Sequence, residues 1–170
     1  MAWFDAFSRR QLYGFGALLS AGLVAYAFYL QYVHLMEPCP MCWFQRAVFV
    51  LLAVAFGTAA LINPGRRGAR VAAAVIALLA LVGLALALRH LWIQSLPADQ
   101  LPSCGMGIGY MLETLPFSDV LARTLAGSVE CNKIDRVLGL PLPAWNVLLY
   151  SLLGALGLIA VRFDGQRTRG

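Results

Sequence analysis

The sequence predicts an all-α membrane protein: a four-transmembrane-helix bundle with a short amphipathic helix in its second external loop. Three observations carry that prediction. Hydrophobic residues make up 61% of the chain and charged residues 12%, which removes it from the ordinary soluble class. Four apolar windows are each long enough to cross a hydrocarbon core of about 30 Å as helices. The arginines between those windows alternate with acidic segments, so that one side of the bundle is basic and the other acidic.

The elements follow in order. The first span is expected at about Gly14–Val33, after Arg9 and Arg10. Ser8-Arg9-Arg10 is similar to a twin-arginine export signal, and Ala25-Tyr26-Ala27 to a cleavage site. The apolar run continues past that site, so the first span is expected to stay intact. The second span is expected at Trp43–Ile62, where Ala53, Gly57 and Ala60 offer small side chains for close helix approach. The third is expected at Val71–Leu88 and the fourth at Ala144–Val161, leaving one external segment of size, Arg89–Pro143. That segment is too small and loop-rich for a second domain, so residues 1–170 read as a single integral membrane domain. Within it Phe117, Val120, Leu121, Thr124 and Leu125 recur at helical spacing. They predict the amphipathic helix, either lying on the membrane or packed on the bundle top.

Charge sets the orientation. Arg9, Arg10, Arg66, Arg67, Arg70, Arg162, Arg167 and Arg169 fall at the ends that the positive-inside rule assigns to the cytoplasm, the two termini among them. Glu37, Asp99, Glu113, Asp119, Glu130 and Asp135 fall on the other side. The net charge of +5 therefore reports topology, and the arginines are too scattered for a nucleic-acid interface.

Cys39-Pro40-Met41-Cys42 stands where the second span begins, and Cys104 and Cys131 lie in the long external segment. Parity across four spans puts all four cysteines on one side. If that side is outside the cytoplasm it is an oxidising compartment, the periplasm in a bacterium. Pro38 and Pro40 disfavour helix in the residues before them, so the helix is expected to start around Met41 or Cys42. A thiol in the first helical turn feels the positive end of the macrodipole, which favours thiolate and suits Cys42 better than Cys39. Arg46, one turn below Cys42 on the same face, adds a positive charge and can donate to a carbonyl oxygen of a bound acceptor. The competing reading of Arg46 is a side chain snorkelling to the head groups.

Other readings of the cysteines are weaker. A CxxC can be half of a zinc site, but the second half is usually another close pair, which Cys104 and Cys131 are not. Trp43 follows Cys42 where c-type haem attachment needs histidine. Cys104 and Cys131 alone would read as a structural staple; beside a second pair on the same side they read as an exchanging pair. The Gly-rich flank of Cys104 exposes it to another protein. His90, at the outer end of the third span, is expected at the depth of Arg46 and so in a shared acceptor pocket. Trp43, Trp92 and Trp145 fit an outer aromatic belt, and Gln31 and Asn146 fit inter-helix hydrogen bonds.

Together these residues resemble the DsbB family, the quinone-dependent oxidases that recharge the periplasmic disulfide donor DsbA. The resemblance rests on four spans, on Pro-Cys-x-x-Cys-x-x-x-Arg at Pro38–Arg46, on Cys104 and Cys131 in the second external loop, and on Leu138-Gly139-Leu140 with Pro143 and Trp145. It implies a bacterial inner-membrane protein-dithiol:quinone oxidoreductase. Its partners would be a DsbA-like thiol oxidase and the membrane quinone pool, with ubiquinone or menaquinone as electron acceptor. It implies that reduced DsbA attacks Cys104, that Cys131 exchanges with Cys39, and that Cys42 faces the quinone. Arg46 and His90 would lie at the quinone pocket. Pro40-Met41 and the stretch Gly105–Gly109 depart from the family pattern. No metal is expected. The rival readings are a thiolate metal-binding membrane protein and a membrane disulfide reductase; the second needs a cysteine pair on the cytoplasmic side, which this chain lacks.

Overall fold

The structure is a computed structural model that describes residues 8–102 and 107–162. Four long helices form the bundle: α1 (Arg9–Val33), α2 (Pro40–Ile62), α3 (Arg66–Gln94) and α7 (Leu142–Ala160). All four are long and apolar enough to cross a membrane. Between α3 and α7 the chain forms a 3₁₀ turn (Ala98–Gln100), α4 (Ile108–Thr114), α5 (Phe117–Ala126) and α6 (Val129–Asn132). A two-stranded antiparallel hairpin follows, β1 (Arg136–Val137) with β2 (Leu140–Pro141).

Three of the spans run beyond the ends that hydropathy alone predicts, for identifiable reasons. Helix α1 starts at Arg9 because Ser8 and Gln11 form a reciprocal capping box. Helix α2 starts at Pro40 rather than at Met41 or Cys42, a small correction to the sequence reading. Proline at the first helical position needs no N–H partner there and brings a helix-compatible φ. Helix α3 continues past Leu88 to Gln94, because its polar end is used by the loop. Arg89 lies over the Trp92 ring, 4.1 Å from its centroid, and donates to the Leu125 and Ala126 carbonyls at the C-terminal end of α5.

The core joins all four spans through Tyr13, Leu52, Phe56, Ile76, Tyr150 and Leu153. Phe49 and Tyr150 stack with ring centroids 4.3 Å apart. The most extensive contacts are α3 with α7 and α1 with α2, whereas α1 and α7 touch sparsely. The α3–α7 approach depends on missing side chains. A Cβ on Gly83 would run into the Tyr150 ring, and one on Gly157 into Ile76. Gly83→Ala is therefore expected to destabilise the bundle by about 1–3 kcal/mol through overpacking. Gly14→Ala, where nothing lies within 4 Å, should stay within about 0.5 kcal/mol of wild type. Unfolding in mixed micelles by increasing SDS measures both, and equal stability of the two variants would refute the close-packing argument.

At the end opposite the thiols, buried Arg9 donates to the Ala160 carbonyl (3.2 Å) and the Pro64 carbonyl (2.9 Å). It ties the start of α1 to the end of α7 and to the α2–α3 turn. The predicted amphipathic helix is α5, but its apolar stripe is only partly used. Val120 and Thr124 are buried, while Phe117 and Leu125 stay exposed.

Candidate functional site

Helix α2 builds the first thiol pair from its own N-terminus. Cys39 is the cap residue, held extended (φ −65°, ψ 163°) as the residue before a proline must be. Its sulfur accepts from the Cys42 N–H at 3.4 Å, so the cap and the reactive pair are one structure. The Cys39 and Cys42 sulfurs stand 3.0 Å apart as free thiols.

The loop brings a third thiol to them. Asn132 donates to both the Ile93 and Leu96 carbonyls at 2.9 Å, and Gln94 donates to the Lys133 carbonyl at 3.1 Å. These bonds fasten α6 to the end of α3 and press Cys131 into a small outer core with Cys39, Met41, Ile93 and Leu101. Cys131 is 1% exposed, so it reacts with a neighbour in this arrangement rather than with solvent. The Val129 N–H donates to the Pro102 carbonyl, which closes the described part of the loop. Cys104, expected as the partner-facing sulfur, lies outside the described residues.

Cys39 and Cys131 shift in opposite directions. The Cys131 side chain, then that of Cys42, then burial, hold the Cys39 thiol well above its ordinary range. Cys131 is lowered to about 6, chiefly by the hydrogen bond from Cys39 and next by the Ser128 hydroxyl, against the opposing effect of burial. These directions favour the thiolate at Cys131 and the thiol at Cys39. In the reduced protein Cys131 should be anionic above about pH 6 and protonate below it. Ultraviolet thiolate absorbance tests this on a protein retaining only Cys39 and Cys131, compared with one retaining Cys131 alone. The midpoint should move up toward the ordinary cysteine value when Cys39 is removed; identical midpoints would refute the assignment.

Beneath the thiols lies a cavity of about 420 Å³ whose walls come from α1, α2, α7 and the hairpin. Leu23, Val24, Leu30, Phe49 and Leu149 make it apolar, in the size range of small-molecule pockets. Cys42, Gln45, Arg46, His90 and Asn146 supply polar groups at its thiol end. Arg46 is fixed there rather than reaching outward. It donates to the Gln31 side chain and, at 3.0 Å, to the Ala27 carbonyl. Its guanidinium lies 5.2 Å from the Phe28 ring centroid and 5.3 Å from that of Trp43. His90, 3% exposed, places Nε2 3.9 Å from the Cys39 sulfur and 3.1 Å from the Cys131 carbonyl. The cavity thus brings Cys42, Arg46 and His90 together.

Cys39, Cys42 and His90 also offer three ligand atoms within 4.8 Å of one another, a donor set that suits a soft cation. Sequence reasoning missed three contributors. Gln45 is buried between His90 and Asn146, and Asn132 is the clamp that delivers Cys131. The hairpin is pinned over the cavity by Trp145, whose indole donates to the Val137 carbonyl at 2.9 Å. The positive φ of Gly139 (85°) is a usable turn signal for the hairpin, beside Leu138 at φ 51°. Gln45 carries a weaker signal, as an amide inside an apolar helix one turn from a reactive thiol.

Four long apolar helices define a multi-pass membrane protein, and three thiols and an imidazole gather at one end of them beside an apolar cavity. Comparison with known proteins gives its family. The family model described as "Disulfide bond formation protein DsbB" matches residues 9–160. The chain is 48% identical to a Disulfide bond formation protein B of Hahella chejuensis over 84% of this chain and 87% of that one. It is 44% identical to that of Marinobacter nauticus over 89% and 91%, and 39% identical to that of Chromobacterium violaceum over 96% and 97%. The chain belongs to the DsbB family, as a membrane oxidoreductase of disulfide bond formation.

Proposed function

We propose that this protein is a thiol:quinone oxidoreductase of the bacterial inner membrane, with its thiols facing the periplasm and both termini in the cytoplasm. It reoxidises a DsbA-type thioredoxin-fold partner and passes the electrons to a membrane quinone. The observation that carries this reading is the apolar cavity with Cys42 in its wall and Cys39 and Cys131 directly above.

The residues present fit a quinone. The walls would suit a ring and an isoprenoid start, and Arg46 and Asn146 line the cavity as N–H donors that could meet ring carbonyls. The cavity lies between α1 and α7, the helix pair with sparse mutual contact, which favours access from the bilayer. A bound quinone supplies a two-electron, two-proton acceptor, and the protein supplies orientation and charge.

The thiol steps balance as follows. A partner thiolate attacks Cys104 of a Cys104–Cys131 disulfide, and Cys131 leaves as thiolate. Cys131 attacks Cys39; the Cys131–Cys39 bond forms, the Cys39–Cys42 bond breaks, and Cys42 leaves as thiolate. The partner's second thiol resolves the mixed disulfide, which frees Cys104. Cys104 then attacks Cys131 and releases Cys39. Cys39 and Cys42 finally close their disulfide, giving two electrons and two protons to the acceptor. The low range of Cys131 favours it both as leaving group and as standing thiolate.

The deciding experiment supplies reduced DsbA-type protein and a short-chain quinone to the purified protein in detergent and follows quinone absorbance. Turnover that needs both components is the expected result. No turnover, with stoichiometric metal bound by the intact reduced protein, would favour the soft-cation reading of the same thiols.

A further inference from the structure

We propose that Gln45 and Asn146 are positioning residues that, together with the Cys131 carbonyl, hold His90 in one tautomer, with its Nε2–H aimed at that carbonyl and the Cys39 sulfur. Neither residue touches a thiol of the exchange in this role; both act through the imidazole. The proposal rests on the thiol-relay reading above for its effect on rate, but the tautomer itself stands on geometry alone.

The argument starts from a group with one possible role. The Cys131 backbone carbonyl can only accept, and it lies 3.1 Å from His90 Nε2, so Nε2 carries a hydrogen. The Gln45 amide nitrogen faces Nδ1 at 3.4 Å, and its amide oxygen is taken by Asn146, so Nδ1 meets a donor and carries no hydrogen of its own. Asn146 meets that oxygen with its own NH₂. The direction of both amides thus agrees with the one the backbone carbonyl sets. The donors run one way, from Asn146 on α7 through Gln45 on α2 and His90 on α3 to Cys131 on α6.

The opposite arrangement fails at its last link. Reversing both amides would put the hydrogen on Nδ1 and leave Nε2 with a lone pair facing the Cys131 carbonyl, two acceptors 3.1 Å apart in a buried site. Gln45 is itself immobilised. It is 2% exposed, and the Tyr150 hydroxyl donates to its backbone carbonyl at 2.8 Å.

The chemical consequence concerns Cys39, whose sulfur lies 3.9 Å from the same Nε2. His90 in this tautomer cannot take a proton from Cys39, and it acts as a donor. Its help comes when Cys104 attacks Cys131: the Cys104–Cys131 bond forms, the Cys131–Cys39 bond breaks, and Cys39 leaves with the electron pair. The Nε2–H then meets the new thiolate. Losing that donor should slow this step about tenfold or more, as for a hydrogen bond to a charged group.

The chain has two histidines, so a His34→Gln background isolates the His90 signals. In the full-length protein labelled with ¹⁵N-histidine in detergent at neutral pH, Nε2 should read as protonated and Nδ1 as bare. Gln45→Glu presents only acceptors to Nδ1 and should move a proton onto it. Gln45→Leu removes the donor at Nδ1 but keeps the Cys131 carbonyl at Nε2, and should only raise the minor share of the Nδ1–H form. Stopped-flow mixing with reduced partner should show the release of Cys39 slowed about tenfold or more in His90→Phe, which removes the donor, and not slowed in Gln45→Glu, with attack at Cys104 unchanged in both. Protonated Nδ1 in the Gln45 protein, or the same spectrum in Gln45→Glu, overturns the proposal. A protein with the expected spectra and no quinone turnover keeps the tautomer assignment and overturns the relay reading instead.

Discussion

Cys42→Ser is expected to reduce quinone turnover by at least about 10³-fold while the protein inserts and folds normally. Among the three described cysteines, Cys42 is the one the structure places in the cavity wall with Arg46. A serine hydroxyl in its place neither forms the Cys39–Cys42 disulfide nor carries electrons to an acceptor. The fold loses little, because the helix cap uses the backbone N–H of residue 42 and the sulfur of Cys39. The same variant should also trap an intermediate. With Cys104→Ser added, so that no other thiol resolves Cys131, a supplied thiol oxidant should join Cys39 to its other sulfur neighbour, Cys131. Non-reducing peptide mapping should find that bond accumulated, and steady-state assays should find turnover at background. An active Cys42→Ser protein would remove Cys42 from the mechanism, and an absent Cys39–Cys131 bond would remove the exchange between the loops.

Much of this architecture is legible in the sequence because membranes impose long apolar runs and few charges. The four spans, the amphipathic stretch now seen as α5, and the inter-helix roles of Gln31 and Asn146 all follow from such local signals. What was hidden depends on packing between distant segments. Hydropathy ends the third span near Leu88, yet α3 runs on to Gln94 because Arg89 and Gln94 find loop carbonyls tens of residues away. Cys131 in the sequence is a loop cysteine; only the Asn132 clamp on α3 makes it a neighbour of Cys39. Gln45 looks like a stray amide until α3 and α7 close around it. The resemblance to the DsbB family could supply an order of sulfurs, but not the opposite shifts of Cys39 and Cys131, which arise from burial and contact.

Arg46→Ala should raise the quinone concentration needed for half-maximal turnover by roughly 10- to 100-fold, with the exchange between partner and Cys104 unchanged. A charged side chain inside a span is costly and persists where its N–H groups find acceptors. Here two of them meet Gln31 and Ala27 on α1, and the planar cation lies over Phe28 and Trp43. Those contacts hold the guanidinium at the cavity wall instead of letting it extend to the surface. Arg46→Lys separates charge from shape: it keeps a cation near Cys42 but lacks the planar fork that reaches two acceptors at once. It should recover part of the lost quinone affinity, and less of the α1–α2 attachment. The measurement pairs quinone titrations with SDS unfolding of both variants. If Arg46→Ala lowers stability and leaves the quinone requirement as it was, the side chain is only a clamp between α1 and α2. If the requirement rises and Arg46→Lys restores part of it, the positive charge itself serves the acceptor, and α1 holds it there.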